Sequence, residues 1–446
     1  MYGEMKNIEY TLYNLIISII MNKNLLLKTS RNILVSALAM FAMSSRAQTT
    51  TDVLEFTTEK EVGEEITFAV STFADEGSVT VEGAEGDWTN DRSVTYKLTS
   101  KNVRIEGEGI QAFKCKEEKL TALDISKCPE INSVDVDYNK IETIDLTNNG
   151  ELKKLSFRDN KVAALKLDAC PALQWLACSN NKLESLDTSA NPELDWLNCS
   201  GNLLKEINLA NNQKLTGLLC SNMKIETLDV SMCENMDRIL CQNNRLSKLD
   251  VSNNKKLTRL QCFGNNIDEL NLANNTLLSS LNCSENQLKT LDVSANKSLT
   301  SLSCTDNHLT SLDLTECTEL TFLYCSRNEI SGTETDKLIA SLYNLSGGEQ
   351  QGTLGIIDNT KESDKNVCTK EQVKEAVGKG WAVKERDGRT WVDYAGSEAS
   401  GIDGIASGDA QIEAIYDLSG RRLSEPRSGL QVMKMKDGKC VKVMRR

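Results

Sequence analysis

Residues 173–193 read LQWLACSNNKLESLDTSANPE, and residues 194–214 read LDWLNCSGNLLKEINLANNQK. The two segments place leucines, one cysteine and two asparagines at the same offsets. Followed outward in both directions, the unit L-x-x-L-x-C-x-x-N-x-L-x-x-L-D-L-S-x-N recurs eleven times with a period of 21 residues. Its first column runs Ile110, Ile131, Leu152, Leu173, Leu194, Leu215, Met236, Leu257, Leu278, Leu299 and Leu320, without a slip. A fixed period of this size describes stacked units, each too small to bury its own apolar side chains but able to do so against its neighbours.

Within a unit, Leu176 and Cys178 are two residues apart, so on a strand they point the same way, while Trp175, Ala177 and Ser179 face outward. The asparagine that follows forms the column Asn139, Asn160, Asn181, Asn202, Asn244, Asn265, Asn286, Asn307 and Asn328. Its amide is expected to satisfy backbone groups where the chain turns, each rung supplying part of its neighbour's hydrogen bonding. The column fails at Glu118 and at Met223, where Asn222 sits one place early. Leu183, Leu186 and Thr188 are expected to return to the core from the opposite wall. With strands about 4.8 Å apart, the stack is expected to extend roughly 50 Å.

The cysteine column contains Cys115, Cys178, Cys199, Cys220, Cys241, Cys262, Cys283, Cys304 and Cys325, with Val136 and Phe157 in the two remaining rungs. Valine and phenylalanine define the position as apolar, and a thiol is a small hydrophobe that is commonly buried. These cysteines are therefore expected to be reduced packing residues. Disulfides between rungs are the competing reading, disfavoured because side chains on neighbouring parallel strands project side by side. A thiolate metal site needs four convergent ligands. Export would favour oxidation, a tension relieved if the thiols are sealed from oxidants. A second set, Cys128, Cys170, Cys233 and Cys317, replaces the asparagine that ends the unit and is expected to pack or bond at the opposite turn. Cys368 and Cys440 lie outside both columns.

This repeat resembles the leucine-rich repeat family, specifically the short, cysteine-bearing class of bacterial internalin-like surface proteins. The resemblance implies a mainly β solenoid, a right-handed superhelix with one short parallel strand per turn. Its bounds are residues 110–332.

The flanks differ. Residues 48–109 alternate in short runs (LEFTTE, EITFAVSTF, SVTVEG, VTYKLTS, VRIEG) and predict an antiparallel β cap over the first rung's open edge. Caps of this kind are similar to those of exported Bacteroidetes repeat proteins. Residues 333–394 predict an α/β cap: a helix in TETDKLIASLYNL, a strand in TLGIID, a helix opened by Thr369, and a strand in WVDY. Trp381 and Trp391 are assigned to its core. Residues 395–411 are small, polar and glycine-rich, the composition of a linker. Residues 412–446 resemble the sorting domain of the type IX secretion pathway, through the strand IEAIYDL, the Ser419-Gly420-Arg421 turn, the Gly429-Leu430 pair and the strand KCVKVMRR. At the other end, residues 1–47 contain a basic region (Lys23, Lys28, Arg31), the apolar run Ile33 to Met43 and small residues Ser45 and Ala47, the layout of a cleaved signal. Met21 is read as the true start.

The chain carries 51 basic and 64 acidic side chains, a formal charge of −13, which disfavours nucleic acid as a partner. A single histidine, His308, leaves little scope for imidazole chemistry. No catalytic constellation, phosphate loop or metal-spaced histidine set is present, so no cofactor is expected. The acidic column Asp124, Asp145, Asp187, Asp229, Asp250, Asp292 and Asp313, interrupted by Lys166, Asn208 and Asn271, is read as a solvated outer face rather than a calcium site.

The outward strand positions are free of the repeat's demands, and there Trp175 and Trp196 fall on consecutive rungs. Leu219, Leu240, Arg238, Arg259 and Phe263 lie alongside, among Ser and Asn. Tryptophan and arginine dominate binding hot spots. These residues are the candidate ligand-binding surface, for a protein or glycan on host or neighbouring bacterial cells, with the export machinery as a further partner of the carboxy-terminal segment. The expected protein is a monomeric, secreted or surface-displayed binding protein. An envelope scaffold is the first alternative, and an enzyme hidden in a cap the second.

Overall fold

The computed structural model describes residues 51–73, 79–360 and 364–397, together with four backbone strands between residues 412 and 445. The leader and signal readings fall outside the described residues, as do residues 398–411 of the linker.

From the second 21-residue unit onward, each contributes one three-residue strand to a single parallel sheet, from Ser133–Asp135 through Lys154–Ser156 and Trp175–Ala177 to Phe322–Tyr324. All are parallel and in register, so equivalent residues of successive units stand side by side: Trp175 beside Trp196, Leu176 beside Leu197, Ala177 beside Asn198. The fold is thus a mainly β solenoid with few helices. The strands are short because the residue before each ladder asparagine takes a left-handed conformation and ends the strand, as at Asp159, Asn180 and Gly201 (φ 55°, 55° and 68°).

The core is the set of repeat columns. Leu173, Leu176, Cys178 and Leu183 are fully buried, as are their equivalents in the following rung, Leu194, Leu197, Cys199 and Leu204. Leu186 and Thr188 close the opposite wall, both buried. The ladder asparagine holds the turn. Asn181 Nδ2 donates to the carbonyls of Phe157, Cys178 and Ser179 (3.0, 3.1 and 3.2 Å), and its Oδ1 accepts from the Val162 N–H at 3.0 Å. Asn160, Asn202, Asn265, Asn286, Asn307 and Asn328 repeat the pattern. At Glu118 the carboxylate instead accepts from the Thr67 N–H at 3.0 Å and pairs with Lys60, which ties the first turn to the amino-terminal cap.

A second asparagine column holds the opposite turn. Asn191 Nδ2 donates to the carbonyls of Leu167 and Cys170 (3.1 and 2.7 Å). Where cysteine replaces it the thiol reaches the same kind of acceptor: Cys317 Sγ lies 3.6 Å from the Val293 carbonyl oxygen and Cys233 Sγ 3.5 Å from that of Asn212. Thiol and amide are both donors short enough for this niche, which is why the column alternates between them.

Both ends of the parallel sheet are paired. Glu65–Thr72 runs antiparallel to the first rung strand, Ile110–Lys114, and Gly352–Asp358 runs parallel to the last, Phe322–Tyr324. The first cap adds a five-stranded sheet in the order Thr143–Asp145, Leu120–Lys127, Asp52–Thr58, Asn102–Gly107, Thr80–Glu82. Phe56, Phe68, Phe113 and Tyr96 form its aromatic core. In the second cap, helix α1 (Thr333–Ser341) and helix α2 (Lys370–Gly378) flank Gly352–Asp358 and Trp381–Asp387. Thr369 and Gln372 form a reciprocal capping box at the start of α2. Trp381 is fully buried. Strands Arg422–Leu423, Ile412–Tyr416, Gly429–Met435 and Cys440–Arg445 form a separate antiparallel sheet in that spatial order.

Candidate functional site

The outward positions of the rung strands form one face of the parallel sheet. In-register pairing places Trp175, Trp196, Gly217, Arg238 and Arg259 in a row across it. The Trp175 and Trp196 rings stack with centroids 4.8 Å apart and planes 5° from parallel. Gly217 makes this geometry possible: a Cβ there would collide with Cε3 and Cζ3 of Trp196, so the indole occupies space that any other residue's side chain would fill. Beyond the glycine, the Arg238 guanidinium carbon sits 5.6 Å from the Trp196 ring centroid, within cation–π range. Trp196 is thus in contact with both Trp175 and Arg238, and Lys154 is the in-register neighbour of Trp175 on its other side. Trp175 remains 37% exposed and Trp196 is half-buried.

Leu219 and Leu240 are in-register neighbours, both half-buried, and extend the apolar strip beside the stack. Arg259 is exposed next to Arg238. Phe263 lies past the strand end, half-buried, where its carbonyl accepts from the Asn243 N–H at 2.9 Å; no ring contact joins it to the indoles among the described residues. Two expectations are corrected. Ala177 and Ser179 do not face solvent but are buried, at 4% and 7% exposure. Their side chains are too short to rise above their neighbours. Hydroxyls in the Ser179 column instead bond within the sheet, Ser221 Oγ to Ser200 Oγ at 3.1 Å and Ser284 Oγ with Ser303 Oγ at 2.8 Å.

A second aromatic patch was not singled out from the sequence. Tyr324 and Trp391 meet at 4.9 Å over Gly355, where a Cβ would lie 2.5 Å from Tyr324 Cδ1. Trp391 is half-buried on this face rather than enclosed in the cap, and Phe322 beside it is exposed. The glycine opposite an aromatic residue is the signal shared with Gly217, but Trp391 arrives from outside the repeat.

The strand face is basic within an acidic chain. Its outward positions carry Lys114, Lys116, Lys154, Arg158, Arg238 and Arg259 against Asp135 and Asp137, six charges against two. Lys116 pairs with Asp135 at 2.7 Å, and Arg158 with Asp137 at 2.6 Å. Burial alone would raise the Asp137 carboxyl, but bonds from Arg158 and Ser156 hold it below its ordinary value. Lys114, Lys154, Arg238 and Arg259 have no acidic partner among the described residues, and the Arg238 Nε is buried without a hydrogen-bond acceptor.

The acidic column on the outer wall has a local task that the sequence reading missed. Each Oδ1 accepts from the backbone two residues on, at 2.9 Å for Asp124, Asp145, Asp187, Asp229, Asp250, Asp292 and Asp313. These turns depress the carboxyl of Asp187 through the Ser189 hydroxyl and then its N–H, and that of Asp250 through the Ser252 N–H and then its hydroxyl. Among the described residues no group of His, Cys, Asp and Glu is arranged to hold a metal. The fourteen described cysteines are all free and buried. Burial pushes the thiols of Cys199 and Cys262 up to about 12 and that of Cys170 up to about 11, which removes thiolate nucleophilicity at neutral pH. A groove of about 1280 Å³ lies on the outer wall, lined by Phe56, Arg104, Asp124, Asp145, Lys166 and Asp168 among others. Among the described residues no helix is long and apolar enough to cross a membrane.

No protein-family profile matches the chain, and no curated protein matches it in sequence. Its fold is similar to that of solved structures. The functional domain of InlJ from Listeria monocytogenes, described as including a cysteine ladder, is 24% identical, covers 78% of this chain and 93% of its own, and superposes with a TM-score of 0.52. The internalin InlF from Listeria monocytogenes is 16% identical, covers 63% of this chain and 87% of its own, with a TM-score of 0.50. The fold is that of an internalin-like leucine-rich repeat.

Proposed function

We propose that the protein is a non-catalytic binding protein, exported or displayed at the cell surface, which recognises a protein partner on the strand face through Trp175 and Trp196. The observation that carries this reading is the indole stack itself: two large aromatic side chains are held rigid at the surface by a glycine and an arginine. A hydrophobic anchor of this kind costs little ordering entropy on binding and is the type of residue that dominates protein interfaces. A glycan partner is less well served, since rings 4.8 Å apart admit no sugar between them.

Export rests on the signal-like residues 1–47 and the sorting-domain-like residues 412–446, and an adhesin-like role toward host or neighbouring bacterial cells follows from display at the surface. The test compares the parent with Trp175→Ala/Trp196→Ala in pull-downs from host and bacterial surface extracts, with folding checked by far-UV dichroism. Loss of a specific partner supports the reading. A folded variant that captures the same partner as well as the parent sinks it.

A further inference from the structure

We infer that Arg238 and Arg259 form a carboxylate-recognition subsite beside the indole stack, so that the partner is a protein segment carrying an acidic residue next to an apolar or aromatic one. This rests on the proposed strand-face reading and adds the partner's chemistry to it.

The two arginines stand on adjacent strands in direct register. Like charges directly opposite one another on a sheet repel and destabilise it. Elsewhere on this face the corresponding problem is solved with acids, Asp135 and Asp137 meeting Lys116 and Arg158. Arg238 and Arg259 have no such partner among the described residues, and Arg238 carries a buried Nε with no acceptor. The Arg238 guanidinium carbon also stands 5.6 Å from the Trp196 ring centroid. The absent side chain at Gly217 lets it lean over Trp196, which holds the guanidinium plane beside the indole. A fixed, unpaired, partly desolvated guanidinium beside a second one matches the two oxygens of a carboxylate.

The surroundings select a protein source for that carboxylate. Leu219, Leu240 and the indole edges supply apolar surface on the same strands. The face is net basic while the whole chain carries −13, so an acidic segment is drawn to this side of the molecule and repelled by the rest.

The test is selection of random peptides displayed on phage against the immobilised full chain, followed by affinity measurement on synthetic copies of the selected peptides. The expected peptides carry Asp or Glu within two residues of Trp, Phe, Tyr or Leu. Their binding weakens with salt and falls on the order of tenfold or more for Arg238→Gln/Arg259→Gln. It falls equally when the peptide acid is replaced by its amide, without further loss when both changes are combined. Arg238→Glu/Arg259→Glu is expected to bind the peptide in which the acid is exchanged for Lys, a rescue that a merely structural role for the arginines would not give. Peptides that depend on Trp175 and Trp196 but lack acidic residues, or ignore the arginine variants, overturn the carboxylate subsite and leave the strand-face reading standing. Peptides indifferent to Trp175→Ala/Trp196→Ala overturn both.

Discussion

The Asn181 side chain donates to the carbonyl oxygen of Phe157 at 3.0 Å, reaching back 24 residues into the preceding rung. The bond adds a side-chain link between two rungs already joined by strand pairing and by the Phe157 and Asp159 N–H groups donating to Ala177 and Ser179, and it recurs along the stack. Asn181→Ala removes it together with the bonds to Cys178, Ser179 and Val162, all in a buried turn. Buried groups left unpaired cost more than the bonds contributed, so the expected loss is about 3 kcal/mol. Urea unfolding checks it, and a loss near zero would mean that the ladder is decorative.

Met223 interrupts that ladder between Asn202 and Asn244 and is itself buried. Met223→Asn places an amide where the neighbouring rungs have one, within reach of the carbonyls of Cys199, Cys220 and Ser221. The gain in hydrogen bonding is expected to exceed the lost thioether packing by about 1 kcal/mol. A lower thermal midpoint than the parent's would show that this rung has been repacked around methionine.

Ellman's reagent is expected to find none of the fourteen described thiols reactive in the native protein at pH 8, and most of the chain's fifteen in denaturant without reductant. Burial holds the described thiols protonated and out of contact, so native silence and denatured reactivity belong together. Cys241→Val should cost less than about 1.5 kcal/mol, since Val136 already occupies this column, whereas Cys241→Ser buries a hydroxyl and should cost about 1–3 kcal/mol. A denatured sample almost devoid of thiols would refute the packing role.

The outer-wall aspartates make the solenoid acid-sensitive. The carboxyls of Asp187, Asp229 and Asp292 are depressed in the folded state by the Ser two residues on. A depressed folded value means that the stabilisation is present above the unfolded value, about 3.9, and is lost as pH falls through the folded one. Asn208 and Asn271 already make the same turn with a neutral amide, bonding to Ala210 and Ala273 at 3.1 and 3.0 Å. Asp187→Asn/Asp229→Asn/Asp292→Asn is therefore expected to match the parent at pH 7 and to lose less stability below about pH 4. Urea midpoints across pH measure this, and parallel curves for parent and variant would contradict it.

Gly217→Ala should displace the Trp196 ring without unfolding the rung, because the collision is with the ring alone among the nearest atoms. Two parallel indoles 4.8 Å apart are expected to give a coupled near-ultraviolet dichroism signal. That signal should vanish in Gly217→Ala and in Trp175→Ala alike, while far-UV dichroism is retained. Its persistence in Gly217→Ala would mean that the glycine does not set the stack.

The repeat was legible because its apolar columns and its asparagine obey one demand, burial, which leaves few residue types to choose from. Trp175 and Trp196 were legible for the opposite reason: outward strand positions are unconstrained, so large side chains there stand out. What stayed hidden is backbone geometry. Tyr138, Glu285 and Arg327 adopt φ values of 59°, 54° and 54°, a conformation their side chains do not favour. The strain is imposed by the asparagine that follows each, whose bonds leave the preceding residue no other course. Asp187 and its equivalents were read as solvent-facing charge because a turn made with the residue's own backbone leaves no periodic mark beyond the Ser or Thr two places on. Trp391 reached the strand face from the carboxy-terminal cap, a contact between distant segments that periodicity cannot register.

Because every rung repeats the same bonds at the same offsets, the solenoid works as a ruler. Removing or duplicating 21 residues between Arg259 and Phe322 would leave each junction chemically unchanged and move the two aromatic patches by one strand spacing, about 4.8 Å. Spacing along the face is thus graduated in fixed increments, set by the number of copies in the gene rather than by any new contact.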